Sequence, residues 1–259
     1  FFEMSDQATK KAKTESAGET EISLEECKKL AVDIARECGI LVRSAYKDTT
    51  GAIQFKGSVD LVTETDQNVE KVIFKAISEK YPNHKLIGEE TVAAGGVEEL
   101  TDEPTWIVDP IDGTTNFVHR IPWFGISIGF AVGKEILLGV VYNPILDEMF
   151  TAVSGGGAFL NDRQLTASST TELKKSLVAT GFSYDRRESS ITFHMNKLHE
   201  VMLRCRDMRR IGSAALDMCA VAAGRLDAYY EQGIHVWDIA AATLIVREAG
   251  GVVCDPYGG

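Results

Sequence analysis

Residues 106–116, Trp-Ile-Val-Asp-Pro-Ile-Asp-Gly-Thr-Thr-Asn, constrain this chain more than any other stretch. Their apolar start reads as a buried β-strand that delivers Asp109 at its end. The chain then turns at Pro110 and Gly113 and presents a second carboxylate, Asp112, three positions on. Two carboxylates at a strand end, in a turn shaped by proline and glycine, can converge on a hard cation while the following amides face an anion. They can equally serve as turn groups that cap the next segment. The spacing alone leaves both open.

The surrounding chain can house such a site. Its 259 residues, 44% hydrophobic and 25% charged, suit a soluble globular protein with a substantial core, built as one compact unit or two closely joined halves. Residues 3–21 carry few large apolar side chains and read as a flexible tail, with Lys10-Lys11-Ala12-Lys13 either a solvated or a targeting patch. Ser23 then caps an amphipathic helix running to about Tyr46, with Glu26 as the reciprocal capping partner. Ile53-Gln54-Phe55 and Val59-Asp60-Leu61-Val62 pair around Lys56-Gly57-Ser58 as a small hairpin or loop. A second helix starts at Thr63 or Thr65 and runs to Lys80, burying Val69, Val72, Ile73, Ala76 and Ile77 and placing Asp66 in its first turn.

From Leu86 the pattern turns to short β-rich runs: 106–108, 125–132, 136–142 and 149–153. Their spacing suggests an antiparallel sheet. The second half alternates: strand 176–181, helix 191–206, helix 214–223, strand 228–230, helix 238–249 and a strand beginning at 251–253. The expected fold is therefore α+β or layered α/β/α.

Composition excludes some functions. A formal net charge of −11 disfavours a nucleic-acid surface, whose affinity comes from clustered Lys and Arg. No run reaches the ~18 apolar residues of a membrane-spanning helix. Five cysteines, odd in number and without a CxxC pair, read as reduced structural thiols, and the cytosol is the expected compartment. The chain does not begin with Met, so an upstream address signal could have been trimmed.

Other candidates are ambiguous singly. Glu89-Glu90 is either a solvated acidic pair or a ligand, and Asp238 after Trp237 either caps a helix or faces a cleft. Gly212-Ser213 reads as a helix cap, while Arg209-Arg210 suits a surface cluster, a substrate contact or a partner contact. Ser154-Gly155-Gly156-Gly157 lacks a phosphate-loop pattern and suits a flexible hairpin. His194 and His199 lack zinc spacing, and His235 lies close enough to Asp238 to line a cleft.

Together the blocks say more. Asp109-Pro-Ile-Asp-Gly-Thr-Thr-Asn116 resembles the signature of inositol monophosphatases. Upstream, Val59-Asp-Leu-Val-Thr-Glu-Thr-Asp66 and Ile87-Gly-Glu-Glu-Thr91 resemble further family blocks; downstream, so do Gly212-Ser-Ala-Ala215, Ala228-Tyr-Tyr-Glu231 and Val236-Trp-Asp-Ile-Ala240. The similarity runs in one order over roughly residues 22–259. It implies an αβαβα sandwich with a tail at 1–21 and a catalytic domain at 22–259, whose halves meet near 165/166. The family's final strand and helix are expected to be missing.

The resemblance also implies a site. Glu89, Asp109 and the Ile111 carbonyl would hold one cation, with Asp109, Asp112 and Asp238 holding a second; a third would lean on Glu89. Four carboxylates around one centre are costly unless cations neutralise them, and an all-oxygen set favours Mg²⁺, with Mn²⁺ as a substitute. Thr114, paired with Asp66, would orient the attacking water and take its proton, and Glu89 would act in catalysis alongside them. Substrate contacts would come from Asp112, Gly113, Thr114, Gly212, Ser213, Ala214, Glu231 and Asp238. The implied activity is hydrolysis of inositol monophosphate by a lithium-sensitive, homodimeric enzyme. The same chemistry on histidinol phosphate or a galactose phosphate, and a non-catalytic scaffold, are the alternatives.

Overall fold

The computed structural model describes residues 22–48, 53–55, 61–97 and 99–255. The expected tail at 1–21 and the Lys56-Gly57-Ser58 turn lie outside the described residues. Ser23 opens α1 (Leu24–Lys47) by accepting the Glu26 N–H at 3.3 Å. The reciprocal bond from Glu26 does not form: its carboxylate lies 3.5 Å from Lys80 Nζ. Every third or fourth residue of α1, among them Ala31, Ile34, Ala35, Cys38 and Val42, is buried.

Strands β1 (Ile53–Phe55) and β2 (Leu61–Thr63) pair antiparallel, as expected. Thr63 then caps α2 (Glu64–Lys80): its side chain accepts from Thr65 N, and the Asp66 carboxylate returns to the Thr63 N–H at 2.9 Å. The buried stripe of α2 holds Val69, Ile73 and Ile77, but also the carboxylates of Asp66 and Glu70.

The main sheet follows. Its strands are β3 (Lys85–Gly88), β4 (Thr105–Asp112), β5 (Gly125–Val132), β6 (Glu135–Asn143), β7 (Glu148–Val153), β8 (Gly157–Leu160) and β9 (Arg163–Gln164), in spatial order β3-β4-β5-β6-β7-β8-β9. All neighbours pair antiparallel except β3 and β4. That parallel pair needs a crossover, which residues 89–104 supply, beginning with the short helix α3 (Glu89–Ala93). A second short helix, α4 (Thr114–Val118), follows β4.

Both faces of this sheet are covered, so its strands read as continuous apolar runs without polar alternation. On one face Trp106, Val108, Ile126, Ile128, Phe130, Leu138 and Val140 pack with α1 and α2. On the other, Val141, Phe150 and Ala152 pack with α6 (Ala214–Ala222) and α7 (Val236–Glu248). Gly129 and Gly139 are cross-strand partners there, and a side chain on Gly139 would lie 2.2 Å from the Ala241 carbonyl. The two glycines let the backbone of α7 rest on the sheet.

A second sheet of three parallel strands has the order β11-β10-β12, from β10 (Leu177–Thr180), β11 (Asp207–Arg209) and β12 (Ala228–Tyr230). α5 (Glu188–Met202) and α6 are its crossovers, and Ala179, Ala220 and Leu226 join the sheet to α6. Helix, sheet, helix and sheet thus follow in layers, the α+β sandwich expected from the sequence.

Some local expectations are corrected. α5 starts three residues before Ile191 and stops at Met202, not Arg206, because the chain must turn to bring β11 parallel to β10. α7 starts at Val236, two residues before Asp238. Residues 251–253 form no strand: no ladder reaches them, and Val252 is 87% exposed. The glycine run at 155–157 turns β7 into β8 as a hairpin, held by Glu248, whose carboxylate accepts the N–H groups of Gly155 and Gly157 at 2.8 Å each. All five cysteines are free, with Cys27, Cys38 and Cys219 buried.

Candidate active site

The end of β4 decides where the acidic residues go. Residues three apart on a regular strand face opposite sides of a sheet. Here the register of β4 against β5 shifts between Asp109 and Asp112, and this irregularity brings both carboxylates to one end of the sheet. Asp109 Oδ1 accepts the Ile111 N–H at 3.0 Å, which fixes the turn. Gly113 follows at φ 93°, and a side chain there would lie 3.0 Å from the Gly212 carbonyl, so the position needs glycine twice over.

Asp238 comes from the other end of the chain. It sits in the first turn of α7, where its Oδ2 accepts the His235 N–H at 2.5 Å. It therefore caps the helix and faces the cleft at once. One ligand oxygen each of Asp109, Asp112 and Asp238 lies within 4.8 Å of the others. Glu89, at the start of α3, lines the same cavity, and its charge acts on the Asp109 carboxyl.

The electrostatics agree. Burial, then the charges of Glu89, Asp112 and Asp238, pushes the Asp109 carboxyl well above its ordinary range. Burial and Asp238 do the same to Asp112. Burial, partly offset by the His235 N–H, raises Asp238 to about 6. Asp66 is also raised to about 6, by burial first and with Glu89 adding to it, against the hydrogen bonds from Thr63 and Thr114. A divalent cation among these hard oxygen donors would remove the repulsion, so the residues present fit Mg²⁺ or a close substitute.

The expected substrate-side groups surround this cluster. Thr114 Oγ1 lies 3.1 Å from Asp66 Oδ1 and 3.0 Å from the Ile111 carbonyl oxygen. Gly113, Thr114, Gly212, Ala214 and Glu231 line the cavity, of roughly 490 Å³. Ser213 is the exception. It is 2% exposed, caps α6, and donates its hydroxyl to Asp112 Oδ2, with Ala215 N adding a second bond to that oxygen at 2.8 Å. It holds a carboxylate in place and does not face the substrate space. Of the undecided residues, Arg210 and His235 line the cavity, Arg209 pairs with Asp207 at 2.6 Å, and His194 and His199 lie away from it on α5.

Comparison with known proteins gives the family. The model of the inositol monophosphatase family matches residues 23–259. The chain belongs to the inositol monophosphatase family. It is 45% identical to inositol monophosphatase of Dictyostelium discoideum over 92% of this chain and 88% of that protein. It is 48% identical to human inositol monophosphatase 1, over 91% and 85%. The crystal structure of extragenic suppressor protein SuhB from Bartonella henselae superposes with a TM-score of 0.82 at 39% identity, covering 90% and 89% of the two chains. Divalent-metal use goes with inositol monophosphatase membership, and the buried acidic triad of this member suits it.

Within this family framework, several supporting residues escaped the sequence reading. Asn116 donates to the Trp123 and Ile211 carbonyls at 2.7 and 2.8 Å, tying the α4 turn to the chain before α6. Asp217, 1% exposed, accepts from Trp123 Nε1 at 3.0 Å. Tyr229 donates to Glu231 Oε2. Glu70 accepts from the start of α3. Only Glu70 left a signal: a carboxylate one turn after Asp66 on the apolar stripe of α2.

Proposed function

We propose that this protein is a Mg²⁺-dependent phosphomonoesterase that hydrolyses inositol monophosphate to inositol and phosphate. The observation that carries the reading is the convergence of Asp109, Asp112 and Asp238 within 4.8 Å on the floor of a cavity that also holds Glu89, Thr114 and Glu231. Glu89, Asp109, the Ile111 carbonyl, Asp112 and Asp238 would hold the cations, whose Lewis acidity would lower the pKa of water and offset charge on the departing ester oxygen. The remaining steps belong to the chain. Thr114, its hydroxyl between Asp66 and the Ile111 carbonyl, orients the attacking water and takes its proton while passing its own hydroxyl proton to the Asp66 carboxylate. The Gly113 and Thr114 amides hold phosphate oxygens at the cavity wall, positioned for in-line attack.

Glu231, also in the cavity lining, accepts from substrate hydroxyls, with Tyr229 fixing one of its oxygens. Gly212 and Ala214 line the same cavity and would meet the substrate beside Glu231. The catalytic unit spans 22–259. Family membership is the support for inhibition by lithium and for a homodimer in the cytoplasm; LiCl titration of the assay and sedimentation of the purified protein test both.

The test is phosphate release from a panel of inositol 1-phosphate, histidinol phosphate and galactose 1-phosphate, with Mg²⁺ or EDTA. Mg²⁺-dependent release, fastest from inositol 1-phosphate and abolished in Asp238→Asn, supports the reading. Preference for another ester reassigns the substrate. Equal, negligible release from wild type and variant points to a scaffold.

A further inference from the structure

Glu70 is a buried carboxylate whose position matters to the site although it does not line the cavity. It is 4% exposed and sits on α2 one turn after Asp66. Its Oε2 accepts the Glu90 N–H at 2.8 Å. Its Oε1 accepts the Thr91 N–H at 2.9 Å and the Thr91 hydroxyl at 2.5 Å. These are donors of the first turn of α3, which its own N-cap, Gly88, leaves without a side-chain acceptor. The packing is close: a side chain on Gly88 would lie 2.3 Å from Glu70 Oε2, so only glycine admits the carboxylate.

From this arrangement we infer that Glu70 is a positioning residue for Glu89, setting the carboxylate that completes the cation site. The inference rests on the hydrolase reading above. Asp66 and Glu70 lie one turn apart on the same rigid helix: the first holds Thr114, the second holds the turn on which Glu89 stands. α2 thereby fixes the distance between the water-orienting hydroxyl and one cation ligand. If the Glu70 contacts are lost, α3 can pivot at Gly88, and Glu89 leaves its place beside Asp109. Outer groups that orient ligands typically govern metal affinity by about 10- to 100-fold.

Mg²⁺ binding to the full chain, measured by calorimetry without substrate, tests this. Glu70→Gln keeps the volume but sets an NH₂ group against an N–H donor. Wild type should bind Mg²⁺, and Glu70→Gln should bind it about tenfold to a hundredfold more weakly. Its KM at saturating Mg²⁺ should stay within about threefold of wild type, because Glu70 touches no part of the substrate space. Glu79→Gln, an exposed change on the same helix, should leave affinity unchanged. Wild-type affinity in a folded Glu70→Gln protein overturns the inference and leaves the hydrolase reading standing. No binding by wild type overturns both. If Glu70→Gln does not fold, Thr91→Val decides: it removes one of the three bonds and should weaken binding by about threefold to tenfold, and unchanged affinity overturns the inference.

Discussion

At the scale of single residues, buried carboxylates that are not cation ligands are the most informative groups. Asp217 is raised to about 7 by burial, against the Trp123 N–H and the Arg210 charge, which lower it. Its folded pKa exceeds its ordinary 3.8, so its share of stability is fully present below about pH 4 and is lost as pH rises to about 7. Asn at this position keeps an acceptor for Trp123 Nε1 and cannot ionise. In EDTA, the stability of Asp217→Asn relative to wild type, read from urea midpoints, should therefore improve between pH 5 and pH 8. A constant difference due to the altered bond with the Gly212 N–H is superimposed on that trend. A pH-independent difference between the two proteins contradicts the assignment of Asp217 as a carboxyl that burial raises to about 7.

At the scale of elements, α7 has to sit close to the sheet for Asp238 to reach the end of β4. Gly129 and Gly139 permit this, and a methyl group on Gly139 would run into the Ala241 carbonyl at 2.2 Å. Gly139→Ala should cost about 1–3 kcal/mol of stability by overpacking. It should also reduce phosphate release more than the lost stability explains, because Ala241 lies one turn after Asp238. Urea denaturation beside an activity assay on the folded fraction separates the two effects; full activity per folded molecule would count against this role for α7. The same elements show what the sequence made legible. α1, α2, β5 and β12 were readable because caps, apolar period or strand runs announce them locally. β3, α3 and β11 were not: β3 and β11 exist through parallel pairing with distant strands, and α3 is held by Glu70 from another helix. For the same reason Glu89, Asp109, Asp112 and Asp238 could be named from the sequence blocks, whereas Asn116 and Asp217 act through partners that no local pattern reveals, and Glu70 shows only as a carboxylate on an apolar stripe, its partners on α3 hidden.

At the scale of the whole molecule, the fold is a device for assembling like charges. β4 delivers Asp109 and Asp112, α3 delivers Glu89, α2 delivers Asp66 and α7 delivers Asp238, across more than 170 residues of sequence from first to last. Two sheets and the helices between them hold these groups where repulsion alone would drive them apart. Natural chains keep such an arrangement when a counter-charge binds there. Anomalous diffraction from crystals soaked in Mn²⁺ in place of Mg²⁺ locates that counter-charge directly. The predicted result is a peak coordinated by the carboxylates of Asp109, Asp112 and Asp238, lost in Asp112→Asn. Well-diffracting crystals with Mn²⁺ bound elsewhere, and none among these three side chains, would contradict the account.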